Sequence, residues 1–495
     1  MKRMRWYDHI SVNLFWLGLN IRNTGVGNIL MPYLVNAFVS PDIKNTALGA
    51  MRTAGLIVAM VVQPAMGLLS DRNTSHFGRR RPFIFVGVLF DLVLLIAIGL
   101  SGSYWVLFIV LLFQQVSANV SHGPLQGLIP DLVPEDQRGR SSAVKAIFEL
   151  LPLILVAFTI ARLVGIGQIG WAIAATGVSL LVIMLLTMVL VKEEPLREIP
   201  TTSLREPMLR VLGVLAGIIS GGVAGFVAGG LVGGLVGLIL WPIAGPKIAW
   251  MVGIGLGGLV AMAVAVVIGV WGGAISSLGD DARRNSSFTW WIVNRLMFFA
   301  AVTSIQGFAP YFLMSAFGIS SEAAIQMTAN LMVVVGIFTI LTALPSGWLA
   351  DKLGRKSLVG IAGMIAMFGT LVLLVTTVLP NLPLIYIAGI IIGLSAGLFQ
   401  TTNWALGTDL APREEAGRYL GISNLAGAGA GMIGAGIGGL VADWVNRYQA
   451  GMGYLVIFSA YAVLFVLSTV SLLKVRGSAG GAGSRGSDIQ IEEIL

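Results

Sequence analysis

The 495-residue chain has 11% charged and 56% hydrophobic residues and a formal net charge of +8. A soluble protein carries about 25% charged residues, so a water-soluble globular domain is excluded. The excess Lys and Arg sit in short loops, where membrane topology rather than nucleic acid explains them. The absence of cysteine excludes disulfides, thiol chemistry and Cys-based metal sites.

Apolar stretches follow one another, each long enough for the helix of about 20 residues that crosses a bilayer core of about 30 Å. Alternating strands of about ten residues are absent, so helices rather than a barrel must satisfy the backbone. The composition therefore reads as an all-α polytopic membrane protein. Lys2, Arg3 and Arg5 precede the first stretch, which lacks a clean cleavage site and is read as an uncleaved helix. Helices are predicted at about 10–39, 46–69, 83–100, 104–129, 142–162 and 169–191. A middle pair follows at about 209–240 and 248–271, then six more at about 288–317, 323–346, 357–379, 383–408, 418–442 and 453–473. The division is a six-helix bundle (1–200), a linker holding the extra pair (201–280), a second six-helix bundle (281–475) and a Gly- and Ser-rich tail (476–495), expected to be disordered. With the N-terminus in the cytoplasm, only Lys44, Arg52, Arg162, Lys247 and Arg447 fall in outward turns. This bias predicts both termini on the cytoplasmic face of an inner (plasma) membrane.

Between the second and third helices stands Gly67-Leu-Leu-Ser-Asp71-Arg72-Asn-Thr-Ser-His-Phe-Gly78-Arg79-Arg80-Arg81-Pro-Phe-Ile84. Gly67 permits close helix contact and Gly78 a turn with φ > 0. The Arg run can reach Glu135, Asp136, Glu194 or lipid phosphates. Topology alone would explain inward Arg, but it requires neither Asp71 nor Asp351.

Polar groups recur inside the helices, where an ionisable residue costs about 2.5–3.5 kcal/mol on insertion scales and is a functional candidate by default. The first helix has Asn20, Arg22 and Asn23, the third Asp91 and the fifth Glu149. The fourth has Gln115, Asn119, His122 and Gln126, whose spacings of 4, 3 and 4 put them on one face. Segment 288–317 has Asn294, Arg295 and Gln306, and segment 383–408 has Gln400, Asn403 and Trp404. Amides, an Arg and aromatic rings suit a hydroxyl-rich neutral solute, because amides donate and accept at once and rings stack on sugar faces. Tyr33 and Trp404 are the candidate platforms, with ordinary packing the alternative for Trp404. His122 is a candidate proton carrier, since imidazole titrates near a pH of about 6.5. A neutral His in a polar helix contact is the plainer alternative. Asp91 and Glu149 are rival proton sites, or either balances Arg22 in a buried pair. No metal cluster is assigned, and no cofactor is implied. No Walker-type loop, dinucleotide fingerprint or nucleophile–base arrangement occurs, so ATP drive and enzyme chemistry are unsupported.

In the middle pair, Gly recurs at 213, 217, 221, 225, 229, 233 and 237. Small residues at this spacing form a ridge for close helix approach. The ridge suits packing within a hairpin, or docking of a partner or second copy. About 33 apolar residues rise about 50 Å, so the first of the pair must tilt, kink or protrude.

The two bundles echo each other. Gly347-Trp-Leu-Ala-Asp351-Lys-Leu-Gly354-Arg355-Lys356 repeats the charged turn, Gly354 standing 276 residues after Gly78. At an offset of 278, Asp131-Leu-Val-Pro-Glu-Asp-Gln-Arg-Gly-Arg140 matches Asp409-Leu-Ala-Pro-Arg-Glu-Glu-Ala-Gly-Arg418, Pro32-Tyr33 matches Pro310-Tyr311, and His122 falls on Gln400. Two repeated halves with an inserted pair is a transporter plan.

The Gly-x-x-x-Asp-Arg…Gly-Arg-Arg turn resembles the signature loop of the major facilitator superfamily, and the resemblance covers the chain apart from the inserted pair and the tail. The longer form, Ser70-Asp71 to Ile84, and the stretch Asn119-Val-Ser-His-Gly-Pro-Leu-Gln-Gly-Leu-Ile-Pro-Asp131-Leu are similar to the sucrose–proton symporter and glycoside–pentoside–hexuronide branch. The resemblance implies two six-helix bundles around a central cavity, alternating access, and proton-coupled symport of a sugar, glycoside or similar polar organic solute. It implies a cytoplasmic gate built from Asp71, Arg72, Arg79, Asp131 and Arg140, with Asp351, Arg355, Asp409 and Arg418 as counterparts. It places Asn20, Arg22, Asn23, Asn119, His122, Gln126, Gln306, Gln400, Asn403 and Trp404 at the substrate. There are departures. The second helix has Gln63 and Arg52 where some relatives pair acids for sodium, and Gln126 stands where the sucrose branch commonly has Arg. The fifth helix also lacks that branch's mid-helix Arg. One alternative is a fourteen-helix drug–proton antiporter, whose Gly-x-x-x-Gly-Pro-x-x-Gly-Gly pattern is missing from 142–162. Another is a non-transporting receptor or membrane-complex subunit using the glycine ridge.

Overall fold

The computed structural model describes residues 3–193, 195–196, 205–411 and 416–476, without the side chains at 135, 351 and 416–428. The predicted tail, from residue 477 on, lies outside the described residues. The first helix, α1, runs Trp6–Thr24, widens into a π-turn at Gly25–Leu30 and continues as Met31–Phe38. Pro32 has no N–H to give to the preceding turn, and a widened turn is one way a helix absorbs that loss. Then come α2 (Lys44–Ser70), α3 (Arg81–Gly99), α4 (Tyr104–Gln126), α5 (Arg138–Phe158) and α6 (Ile169–Leu190). The stretch Arg205–Leu278 is two helices, α7 (205–244) and α8 (246–278), reversed at Gly245 with φ +76°. The last six are α9 (Ser286–Phe317), α10 (Ser321–Leu353), α11 (Arg355–Val378), α12 (Leu382–Leu410), α13 (Ala416–Tyr448) and α14 (Met452–Ser471).

These are the fourteen predicted long helices, and no strand occurs among the described residues. Eleven described stretches are individually long and apolar enough to cross a membrane, the α7–α8 hairpin counting as one. The chain is a multi-pass membrane protein. Polar N-caps start several helices at the predicted turns: Ser103 accepts from Val106, Asn285 from Phe288, Ser320 from Ala323 and Asn381 from Leu384.

Helices α1–α6 pack among themselves, and so do α9–α14. Glycine sets the closest approaches. A Cβ on Gly123 of α4 would stand 2.2 Å from the Gln63 carbonyl of α2, and one on Gly397 of α12 would stand 2.1 Å from the Thr339 carbonyl of α10. The second bundle is filled by aromatic rings, with Phe298 and Phe399 stacked at 3.5 Å and Phe465 edge-on to Phe298.

The glycine ridge is occupied by the hairpin itself. A Cβ on Gly221 would lie 2.5 Å from Gly269 N, on Gly225 2.4 Å from Ala261 O, and on Gly229 2.4 Å from Gly257 O. The expected alternative, a partner docked on this ridge, is therefore corrected: α8 already fills that face. The arms also run longer than predicted, because the flanking polar turns stay helical, with Arg210 3.7 Å from Glu206. The hairpin leans on α13 and α14, where Gly258 faces Val441 and Gly255 faces Val456. It also reaches α2 through a small cluster of Met60, Val214, Ile218 and Met432.

Gly225→Val should lower the thermal midpoint in detergent by several degrees, since overpacking a filled contact costs about 1–3 kcal/mol. Gly230→Val, where a Cβ meets nothing within 4 Å, should leave the midpoint nearly unchanged.

Candidate functional site

Asp71 closes α2, and the chain then turns through Gly78, whose φ of +107° favours glycine. Asn73 bonds the Arg79 carbonyl at 3.0 Å and holds this turn. Arg80 is buried at its centre, 2.8 Å from Asp71 and bonded through Nε to Asp131. Arg79 reaches Asp131 at 2.5 Å and Asp71 at 3.7 Å. Among the described residues the Glu193 carboxylate accepts from the backbone N–H of Arg80 at 2.9 Å and Arg81 at 3.0 Å, while the expected acceptors Glu194 and the Glu135 side chain lie outside the described residues. An anion on these free N–H groups stabilises the start of α3. Arg72 is half-buried and is not free, while Arg140 is exposed on the first turn of α5. In the second half Arg355 reaches Asp409 at 2.5 Å, so the repeat preserves one Arg–Asp pair per half. The side chains of Asp351 and Arg418 lie outside the described residues. Each of these ion pairs joins segments of one half; none is the bond between halves expected of a closed cytoplasmic gate.

From this charged end a cavity of about 790 Å³ runs to the middle of α1, lined by α1, α2, α4 and α5. Seven predicted residues border it: Asn20, Arg22, Asn23, Asn119, His122, Gln126 and Glu149. Arg22 and Asp91 form a buried two-point pair, Nε to Oδ2 at 2.9 Å and Nη2 to Oδ1 at 3.0 Å. Of the alternatives left open by the sequence, Asp91 is thus the partner of Arg22. Arg22 also bonds Asn23 at 2.7 Å and the Gln114 carbonyl at 3.2 Å. Glu149 lines the cavity 3.4 Å from Lys145, whose ammonium lies 4.1 Å over the Trp16 ring. His122 stands edge-on to Trp16 at 5.3 Å, and its Nε2 is buried without a hydrogen-bond partner. Asn119 and Asn20 are braced within their helices, bonding the Gln115 and Trp16 carbonyls.

The second half contributes differently. Asn403 is fully buried; it donates to Asn294 at 2.8 Å and accepts from Arg295 at 3.1 Å. Asn294 is anchored on Ser468 at 2.8 Å. Asn403 is therefore a brace behind Arg295 rather than a surface for solute. Trp404 is 36% exposed, and its ring lies 5.3 Å from the Arg295 guanidinium. Gln306 borders a separate apolar cavity of about 80 Å³. Gln400 is half-buried and lines neither cavity.

At the other end the halves are bonded to each other. Asp443 of α13 accepts from the Thr46 backbone N–H at 2.6 Å and from Asn45 at 2.7 Å, capping α2 from the opposite half. The two repeated tyrosines cross over: Tyr33 donates to Glu322 at 3.0 Å, and Tyr311 to the Pro32 carbonyl at 2.8 Å. Tyr33 is thus a closure residue and not a platform in the cavity. A Cβ on Gly49 would stand 2.4 Å from the Ala435 carbonyl, which lets α2 and α13 touch. Arg52, assigned by charge counting to an outward turn, lies in the third turn of α2, where it bonds the Gly27 carbonyl at 2.8 Å and abuts Gly307.

Two family profiles match, one per half. Residues 15–215 match the one described as MFS/sugar transport protein, and residues 291–487 match Major Facilitator Superfamily. The chain belongs to the major facilitator superfamily. It is 29% identical over 150 residues to the sucrose transport protein SUC3 of Arabidopsis thaliana, covering 26% of this chain and 25% of that one. It is 27% identical over 197 residues to the multidrug resistance protein MdtG of Enterobacter lignolyticus, covering 39% and 44%. The matched stretch spans about a quarter of the length of the first curated relatives. Among solved structures, a POT family transporter in complex with a thioalcohol-conjugated peptide superposes with a TM-score of 0.66 at 13% identity, covering 94% of this chain and 96% of that one. That likeness shows the fold.

Within this superfamily fold, sequence reasoning missed Trp16, Lys145, Arg80 and Asp443. Lys145 precedes Glu149 by four residues, a spacing that marks a pair on one helical face. Arg80 was indistinguishable from its neighbours in the Arg run. Removing Asp443 should loosen the far-end closure. The chain has no native cysteine, so one placed at Gln306 reports access to the small cavity between halves. In Asp443→Ala its modification by a membrane-impermeant thiol reagent should accelerate at least about tenfold, the lower bound for losing a charge-assisted bond. An unchanged rate would refute the closure role.

Proposed function

We propose that the chain is a secondary active transporter that works by alternating access and carries a sugar, glycoside or similar polar organic solute together with a proton. The observation that carries this reading is the polar cavity, which runs to the charged end while the far end is sealed by bonds between halves. A carrier needs two arrangements of the same halves, each closed on one side. With both termini in the cytoplasm of a plasma membrane, as the charge bias supports, the cavity faces inward. The sugar-transport profile over the first half and the likeness to a sucrose transport protein support the solute class.

His122 is the proposed proton carrier. Its Nε2 faces no partner, whereas Asp91 and Glu149 are engaged by Arg22 and Lys145. The solute would meet Asn20, Asn23, Asn119 and Gln126 on one side and Trp404 on the other. The charged turns are proposed to hold each half as a rigid unit and to exchange partners when the cytoplasmic side closes.

Uptake by proteoliposomes should occur for at least one sugar or sugar derivative, rise with an inward proton gradient and collapse with a protonophore. Expulsion of lipophilic cations with no sugar movement would overturn the reading. His122→Ala should abolish proton-driven accumulation while sparing solute exchange; loss of both in a folded variant would assign His122 to binding. Asp71→Asn should reduce turnover severely without reducing the amount of protein inserted, and normal turnover would remove the turn from the mechanism.

A further inference from the structure

Pro32 leaves one carbonyl of α1 without a helical donor, and the register of the helix decides which one. In an α-helix the N–H that Pro32 lacks would have gone to the Asn28 carbonyl; in a π-turn it would have gone to Gly27. The turn at Gly25–Leu30 follows the second course, since the Met31 N–H bonds the Val26 carbonyl, five residues back. Gly27 therefore has neither helical donor: the Met31 N–H is used, and Pro32 has none to give. A bare carbonyl within a membrane helix is costly, so this register needs a donor from elsewhere.

Arg52 of α2 supplies it. Its Nη2 meets the Gly27 carbonyl at 2.8 Å, the one hydrogen bond of this side chain among the described residues. Its Nη1 lies against Gly307 of α9, where a Cβ would overlap it, so the opposite half backs the contact. The second half shows what happens without such a cation. Pro310-Tyr311 repeats Pro32-Tyr33, yet α9 stays α-helical from Ser286 to Phe317. Its neighbour α10, the counterpart of α2, has no Lys or Arg before Lys352. The same proline accompanies a widened turn only where a cation reaches the spare carbonyl.

We infer that Arg52 is a positioning residue of the transport cycle: it holds α1 in the π register, and that register seats the far-end closure. Without Arg52 the turn relaxes to the commoner α register and the bare carbonyl passes from Gly27 to Asn28. The change of register turns one part of α1 against the other by about 100° and displaces it by about 1.5 Å along the axis. That movement takes the Pro32 carbonyl off Tyr311 and Tyr33 off Glu322. It also reshapes the partition between the two cavities, because Val26, Gly27 and Met31 border the large one and Asn28 the small one. The part played in transport rests on the reading above; the choice of register does not.

The test uses Gln306→Cys in the small cavity as reporter, read as its rate of modification by a membrane-impermeant thiol reagent in the detergent-purified full chain. Arg52→Met should accelerate it at least about tenfold, the lower bound for losing a charge-assisted bond. Pro32→Ala restores an N–H, leaves no carbonyl bare in the α register, and should accelerate the reporter as much with Arg52 still present. The double variant should be no faster than either single one, since all three reach the same register, whereas independent contacts would multiply their effects. Arg52→Lys keeps a charged donor and should restore a rate close to the parent's. A parent-like rate in Arg52→Met, or multiplied effects in the double variant, would overturn the inference and leave the transport reading intact, because the reporter needs no solute. If Arg52→Met does not fold, Pro32→Ala decides alone, and a parent-like rate there overturns the inference. The expected rates in a chain that moves no solute in proteoliposomes would keep Arg52 as the holder of the register and overturn the transport reading.

Discussion

Charge inside hydrocarbon is the constraint on which this structure turns. Water is absent there, so each ionised group must be placed at a membrane edge, paired, or set against polarizable rings. The chain uses all three solutions. Arg79, Arg80, Asp71 and Asp131 are gathered at one end of the first bundle. Arg22 and Asp91 neutralise each other in the interior, and Arg295 is caged by rings. The same requirement explains the buried chain from Ser468 through Asn294 to Asn403, which satisfies each amide in turn and ends at the Arg295 guanidinium.

Glycine meets a second constraint. Between helices in a membrane there is little hydrophobic driving force, so association depends on close approach and on polar bonds across the contact. At the far end both occur together. Gly49 and Gly439 let the α2 and α13 backbones meet, which brings Asp443 within reach of the first free N–H groups of α2. In the α7–α8 hairpin the same device is used over seven ridge positions, and it joins two arms that need not separate. The hairpin can therefore be tight and permanent, while the α2–α13 contact combines close backbones with a few hydrogen bonds that water can replace.

Much of this was legible in the sequence. Length, apolar runs and charge spacing gave the helix count, and the repeat gave matching charged turns because Gly78 and Gly354 both need positive φ before an Arg that pairs with an Asp. The polar face of α4 was readable from spacing alone, since 115, 119, 122 and 126 must share a side. What could not be read was which residues meet across the two halves. Tyr33 looked like a ring for stacking on solute, and only the three-dimensional arrangement shows its hydroxyl on Glu322. Arg52 looked like a loop charge because it lies near the end of an apolar run, yet it is enclosed between α1, α2 and α9. Pairings of residues hundreds of positions apart leave no periodic trace, so Asp443 and Asn45 gave no signal.

The repeat also clarifies how the closed end is made. Pro32-Tyr33 and Pro310-Tyr311 occupy equivalent positions, yet their hydroxyls find different acceptors, a carboxylate and a main-chain carbonyl. Two identical halves would give two identical bonds. The difference follows from one exchange in the repeat: at the 278-residue offset Glu322 falls on Lys44, whose ammonium cannot accept and lies 5.0 Å from the Tyr311 ring, so Tyr311 donates to the Pro32 carbonyl instead. A closure made of unlike bonds can respond to unlike signals: one bond depends on a carboxylate near the membrane edge, while the other depends on the shape of α1, the helix that also carries Arg22 and borders the cavity. One continuous helix therefore both borders the cavity at Arg22 and carries the Pro32 carbonyl that takes part in the far-end closure, so the two sites share one structural element.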